Sequence, residues 1–310
     1  MRKKRVLITG GSGLLALNWA MAMRDVWDVT LVTHRHPVQV RGVKTCSFNL
    51  DSPTDLGSQF RQLKPDLVVH TAGLTSVDEC ERSPYLAHHA NAEIARNVAV
   101  AAVACDASLI HVSTDHLFSN QGSLYSEVNA TAPINQYART KALAEIWVQE
   151  VNPIALVIRT NFFGWGHQCR LSFSDWIIQG LRAGTSLTLF EDVFFTPILA
   201  DAVATHSHAL LNAGAHGIFH VVGDERLSKY EFALKLAARF HLSTDLIIRH
   251  RLGDVQLLAP RPHDMSLDNS KARALLGHSL GTVDDFLHSL QDQELAGRKL
   301  ELQNTLQQQE

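Results

Sequence analysis

A chain of 310 residues with 45% hydrophobic and 19% charged positions has the composition of a globular protein of one large or two medium domains. Its 28 Lys+Arg against 31 Asp+Glu leave a formal charge of -3, which removes the electrostatic case for a protein that coats nucleic acid or an anionic membrane. The longest uncharged stretch, 202–223, holds four histidines, an asparagine and three glycines and does not read as a membrane span, and the four cysteines form no CxxC pair, so neither a disulfide framework nor a zinc knuckle is indicated.

Met-Arg-Lys-Lys-Arg runs into Val6-Leu7-Ile8 and Thr9-Gly10 with no apolar signal core, so a cytoplasmic protein is expected. Short apolar runs at 5–9, 29–33, 45–48, 67–70, 109–113 and 155–159 then alternate with helical patterns at 14–24, 54–63, 84–105 and 136–150. That alternation is the sequence form of βαβ units, and runs that are apolar throughout suit strands covered on both faces. The expected fold is α/β, a Rossmann-type doubly wound parallel sheet over residues 1–160. From 161 the alternation gives way to Asn161-Phe162-Phe163-Gly164-Trp165-Gly166, and residues 161–296 read as a smaller α/β substrate-binding region, with segments returning to the sheet. Residues 297–310, polar and rich in glutamine, are expected to be a frayed helix or disordered.

Thr9-Gly10-Gly11-Ser12-Gly13-Leu14-Leu15-Ala16 stands between the first strand and the first helix. Gly10 permits the tight turn, Gly13 lets the backbone approach a pyrophosphate, and Ala16 is the small residue that packs helix on strand. Gly10, Ser12, Gly13, Leu14 and Leu15 are therefore candidate cofactor-binding positions. The second strand ends in Thr33-His34-Arg35, and no Asp or Glu occurs between Val29 and Leu50 to hold a ribose 2′-hydroxyl. Thr33 and Arg35 join the set, Arg35 as a planar cation for a 2′-phosphate, which favours NADP(H) over NAD(H). The scattered histidines read as surface and core residues, and no metal is expected.

The fifth strand runs into Ser113-Thr114-Asp115-His116, and the next helix carries Tyr137 and Lys141, four apart on one face. An ammonium one turn from a phenol favours phenolate, so Tyr137 is expected to be acidified toward the range in which it passes a proton to a substrate oxygen. Thr114 can hydrogen-bond the same oxygen.

With these motifs in order, the chain resembles the extended short-chain dehydrogenase/reductases, and among them the dTDP-4-dehydrorhamnose reductase group, over roughly residues 5–285. Further matching segments are Thr71-Ala72-Gly73-Leu74-Thr75-Ser76-Val77, Arg159-Thr160, Phe195-Thr196-Pro197 and Arg261-Pro262. The resemblance implies an NADPH-dependent reductase of the keto group of a nucleotide-activated sugar, with Thr114, Tyr137 and Lys141 catalytic. It adds Asn49, Leu50, Thr71, Ala72 and Gly73 to the cofactor site, and Thr75, Val77 and Asp115 to the substrate site. Asn161 and Arg170 are read as substrate donors, beside the aromatic Trp165 and Trp176 and the ring of His167. Phe173 and Trp176 fall at core spacing. Arg261 is read either as a phosphate partner or as the cap of a turn.

The sequence departs from the group at Asn49, where an Asp is usual, at His116, at Ala138-Arg139-Thr140 and at Glu191-Asp192-Val193-Phe194-Phe195. Arg139 reads as solvent-facing, and the run at 191–195 leaves the sugar open. An epimerase is the enzymatic alternative, and a non-catalytic NADP-binding regulatory subunit, like that of methionine adenosyltransferase, the other. Apolar positions on the helix after residue 90 suit either the sheet or the second subunit of a homodimer.

Overall fold

The computed structural model of the chain describes residues 2–34, 36–119, 122–168 and 170–305. Arg35, on which the reading of cofactor preference rests, lies outside the described residues, as do Cys169 and the last five residues of the tail.

The first half runs β1 (Arg5–Thr9), α1 (Leu14–Met23), β2 (Asp28–Thr33), β3 (Lys44–Ser47), α2 (Pro53–Leu63), β4 (Leu67–His70), α3 (Val77–Arg82), α4 (Pro84–His88), α5 (Ile94–Val103), β5 (Ser108–Val112), α6 (Gln136–Val151) and β6 (Leu156–Arg159). The second half adds β7 (Phe162–Phe163), α7 (Phe173–Arg182), β8 (Leu187–Phe190), β9 (Phe194–Phe195), β10 (Ile198–Leu199), α8 (Ala200–Asn212), β11 (Gly217–His220), β12 (Leu227–Ser228), α9 (Lys229–Arg239), β13 (Ile247–His250), α10 (Ser270–Leu276), α11 (Val283–Leu295) and α12 (Arg298–Gln303). Seven strands form one sheet in the order β11-β6-β5-β4-β1-β2-β3, every pair parallel. Chain direction across the sheet reverses between β1 and β4, so the crevice at their carboxyl ends is the place for a ligand.

The apolar runs pack on both faces, as strands buried between helices must. Val6, Ile8, Ile110, Val112, Leu156 and Ile158 join the core shared with α1 and α8, while Leu7, Val68, Leu109 and Val157 join the one under α2, α5 and α6. β3 is the exception, an edge strand with Lys44, Thr45 and Ser47 exposed. Among the described residues, no helix is long and apolar enough to cross a membrane.

Two expectations change. The helix read over 84–105 is interrupted by a π-helical turn, His89–Glu93, which carries Asn91 inward. Its amide accepts from Leu74 N at 2.7 Å and donates to Thr140 Oγ1 at 3.0 Å, bonds that a regular helix pattern does not announce. The tail is also ordered as far as Thr305. Leu302 and Thr305 are fully buried, Arg24 grips Glu301, Arg298 pairs with Asp201, and Gln39 N–H donates to Thr305 O at 2.7 Å. Composition described its surface and missed the buried leucine and the ion pairs of Arg298, Lys299 and Glu301.

Candidate active site

At the end of β1 the chain turns on Gly10, whose φ of +73° lies in the left-handed region. A Cβ on Gly10 would sit 2.8 Å from the main chain of Ala72, and one on Gly11 would sit 2.9 Å from Val32 O. The turn is wedged between the ends of β4 and β2, where only hydrogen fits. Gly11 N–H donates to Val32 O at 2.8 Å and Gly13 N–H to Gly10 O at 2.7 Å. Gly11, which the sequence reading passed over, is held as tightly as Gly10. Gly13 caps α1 without a side chain, and the first turn, with Leu14 and Leu15, carries no acid. Its amide ends suit a phosphate, so the cradle fits a dinucleotide.

Thr71 closes the far side, its hydroxyl donating to Thr9 O at 2.7 Å, and a Cβ on Gly73 would strike Asn91 Oδ1 at 2.8 Å. Ser12 is half-buried, and its main chain hydrogen-bonds His167. Thr33 uses its hydroxyl on Cys46 O at 3.3 Å, and Asn49 accepts from Asp51 N at 3.0 Å. Both are spent on local structure. The Leu50 carbonyl accepts from Asn97 at 3.3 Å, which ties this loop to α5.

Beyond the cradle, β5 delivers Thr114 and Asp115, both buried, and α6 delivers Tyr137 and Lys141. Asn135 starts that helix by accepting from Ala138 N at 2.9 Å and anchors it across the molecule by donating to Pro260 O at 2.9 Å. Lys141 Nζ donates to Val112 O at 2.7 Å. One turn on, Glu145 takes Ser113 Oγ at 2.5 Å and a bidentate pair from Arg159 at 2.9 and 2.7 Å, all buried. This network fixes β5, α6 and β6 around Lys141. Burial lowers Lys141 to about 8, with the charge of Glu145 opposing.

The expected phenolate is corrected. Burial pushes Tyr137 up to about 12, outweighing a hydrogen bond with Thr114, and the nearby charge of Asp115 pushes the same way. The ammonium meant to acidify it is turned to the Val112 carbonyl. Tyr137 is therefore a neutral phenol, the form that can give a proton away, and His116 stands edge-on to it at 5.6 Å. Behind Lys141, His70 and His111 stack at 5.3 Å, and burial together with the lysine charge keeps both rings neutral.

On the opposite side, side chains from distant segments meet in pairs. Arg170 bonds Thr75, Asn161 bonds Asp115, and Arg261 reaches Asp78 at 2.9 Å while also donating to Ala259 O at 2.8 Å. Arg261 thus caps its own turn and pairs with a carboxylate. Val77 opens α3 between Thr75 and Asp78 and packs with Leu74 and Tyr137. Trp165 is corrected from a ligand-facing aromatic to a core residue, with no exposure and its Nε1 donating to Leu290 O at 3.0 Å. Trp176 is the reverse, 40% exposed and stacked on Phe173 at 6.1 Å rather than in the core. Arg139 is exposed, as its position predicted. The sequence reading missed Asn91 and Glu145, and neither leaves a local signal in the chain.

A parallel sheet with a glycine cradle at its switch point defines a dinucleotide-binding α/β protein, and the helix that carries Tyr137 and Lys141 packs a buried phenol against Leu74, which follows the cradle's Gly73. The chain belongs to the RmlD substrate binding domain family, which it matches over residues 4–294. It is 34% identical over 289 residues to the probable low-salt glycan biosynthesis reductase Agl14 of Haloferax volcanii, covering 92% of this chain and 96% of that protein. It is 28% identical over 236 residues to the dTDP-4-dehydrorhamnose reductase of Escherichia coli, covering 72% and 78%. Among solved structures, the dTDP-4-dehydrorhamnose reductase of Bacillus anthracis in complex with NADP superposes with a TM-score of 0.82 at 22% identity, over 94% of this chain and all of that one, a likeness of fold.

Proposed function

We propose that this protein is an NADPH-dependent reductase of the keto group of a nucleotide-activated deoxysugar. The observation that carries the reading is the neutral phenol of Tyr137, hydrogen-bonded to Thr114 at the mouth of the glycine cradle. The similarity to named reductases supports it. A regulatory subunit that only binds nucleotide has no need of a buried proton donor with a braced lysine behind it.

Gly10, Ser12, Gly13, Leu14 and Leu15 hold the diphosphate, Thr71 to Gly73 border the nicotinamide half, and Asn49 and Leu50 lie toward the adenine. When bound, the reduced nicotinamide supplies hydride to the ketone carbon. Tyr137 gives its proton to the carbonyl oxygen, and Thr114 orients that oxygen. Lys141, with one N–H on Val112 O, has two left for the nicotinamide ribose and for steadying Tyr137. Arg35 and the absence of an acid between Val29 and Leu50 favour NADP(H) over NAD(H). Thr75, Val77, Asp115, Asn161, Arg170 and Arg261 line the substrate side.

The test mixes protein, NADPH and a panel of 4-keto nucleotide sugars and follows absorbance of the reduced nicotinamide. Oxidation by wild type and not by Tyr137→Phe is expected. Cofactor binding without turnover on any sugar overturns the reading. Arg35→Ala should weaken NADPH far more than NADH, and equal losses refute the assignment of cofactor. We further infer a cytoplasmic homodimer: α4, α5 and α6 each leave an apolar side chain exposed, Tyr85, Val103 and Ile146 at 93%, 48% and 53%, for a second copy to cover.

A further inference from the structure

His116 follows Thr114 and Asp115 in the turn after β5, and its main chain is held from both sides. Its N–H donates to Thr114 Oγ1 at 3.3 Å, while Leu117 and Phe118 after it are buried with Val222 and Leu267, and Leu117 O accepts from Ala132 N at 2.8 Å. The ring stands edge-on to Tyr137, with centres 5.6 Å apart and planes at 84°. Among the described residues neither ring nitrogen has a hydrogen-bond partner. Nδ1 is buried without one, and Nε2, on the edge that leaves the side chain 18% exposed, stands 4.0 Å from Asp115 Oδ1.

That separation is too long for a hydrogen bond, yet an oxygen about 2.8 Å from each atom would subtend roughly a right angle between them, an ordinary geometry for a hydroxyl. A carboxylate beside Nε2 favours the tautomer with its proton there and leaves Nδ1 as a bare lone pair. Burial holds the ring below its ordinary pKa, so it is neutral and Nε2–H is its one donor. The gap is thus flanked by a donor on one side and an acceptor on the other. A hydroxyl satisfies both. A phosphate would meet the charge of the carboxylate, an ammonium could not accept from the imidazole, and a methylene would leave both groups unpaired.

Thr114 decides which hydroxyl this is. On the keto-sugar reading its Oγ1 meets the reacting carbonyl, and it lies 3.3 Å from Asp115 Oδ1, close to the spacing of oxygens on neighbouring ring carbons. We propose that His116 reads the sugar hydroxyl next to the reacting carbonyl, its Nε2–H donating to that hydroxyl while the hydroxyl donates to Asp115. The assignment rests on the keto-sugar reading of the site and makes His116 a determinant of which sugars are accepted.

The experiment measures binding, so that it does not depend on turnover. dTDP-rhamnose and its 3-deoxy analogue are titrated calorimetrically into NADP-loaded wild type, His116→Phe, which keeps a ring against Tyr137, and His116→Gln, which keeps a neutral donor in place of Nε2–H. Wild type should bind the analogue about 10- to 100-fold more weakly than dTDP-rhamnose, because the missing hydroxyl leaves two groups of the site unpaired. His116→Phe should narrow that ratio about fivefold, the worth of one neutral hydrogen bond, by weakening dTDP-rhamnose. His116→Gln should restore most of the ratio, and both variants should keep wild-type affinity for NADPH. A wild type that binds neither sugar, or binds both alike as it would if a water filled the gap, overturns the inference, and so does a His116→Phe variant that discriminates as wild type does. Wild type that discriminates as expected but oxidises no NADPH with the matching 4-keto sugar leaves His116 as a sugar contact and refutes the reductase reading instead.

Discussion

The two walls of the site are made of different material. On the nucleotide side the fit comes from main chain: Gly10 and Gly11 lie against Ala72 and Val32 with no room for a Cβ, and the side chains of Thr71 and Asn91 serve to hold backbone in place. On the substrate side the contacts are side chain to side chain, between segments 46 to 183 residues apart, as in Asn161 with Asp115 and Arg261 with Asp78. A pyrophosphate has the same shape in every dinucleotide, so a backbone mould suffices for it. A sugar is recognised by hydroxyl positions, which only particular side chains distinguish.

The sharpest way to break this comparison is at the point where the walls meet. Tyr137→Phe should lower turnover by roughly 10²–10⁴-fold while leaving NADPH binding intact, as a proton donor's removal does; loss of cofactor binding in the same variant would mean that Tyr137 belongs to the mould. Glu145→Gln leaves Arg159 buried with a broken pair and should cost about 3–5 kcal/mol in denaturant unfolding. A cost below about 1 kcal/mol would show that Lys141 is not braced through that network. Gly10→Ala should cost about 1–2 kcal/mol from the left-handed backbone alone, displace Ala72 and weaken NADPH binding at least tenfold. Equal affinity for NADPH would refute the backbone mould.

On the other wall, Arg261→Ala should change stability by less than about 1 kcal/mol, because its partner Asp78 is 36% exposed. Its effect should appear as a raised KM for the nucleotide sugar, with KM for NADPH unchanged. The smallest effect is in pH dependence. Lys141 and Lys229 both titrate near 8 in the folded chain, below the ordinary 10.5, so each contributes stability that is complete above 10.5 and lost as pH falls through about 8. Tyr137, raised to about 12, takes nothing away below pH 10. Burial also raises the thiols of Cys46, Cys105 and Cys80, the last to about 11, which works against the rise above pH 9. Urea midpoints should therefore rise between pH 8 and 9, less steeply in Lys229→Met; an unchanged slope would show that Lys229 is solvated.

The alternation of strands and helices, the Gly10 turn and the Tyr137/Lys141 pair were legible because each is a local pattern, set by neighbours one turn or two residues away. The partners that decide their chemistry were not. Nothing beside Tyr137 in the chain announces that burial would outweigh Lys141, and nothing beside Trp165 says that it would face Leu290 instead of a ligand. Asn91 reads as one more helical position until the π-helical turn aims it at Leu74 and Thr140.

By itself the sequence determined the parallel α/β sheet, the cradle at the end of β1 and the placing of Tyr137 and Lys141 on one helix face, since spacing and residue type suffice for each. Only the tertiary structure decided that Tyr137 is neutral and that Arg159 and Glu145 brace the helix beneath it. Desolvation and charge pairing depend on distance through space, and segments far apart in the chain meet there only once the sheet and its covering helices have packed.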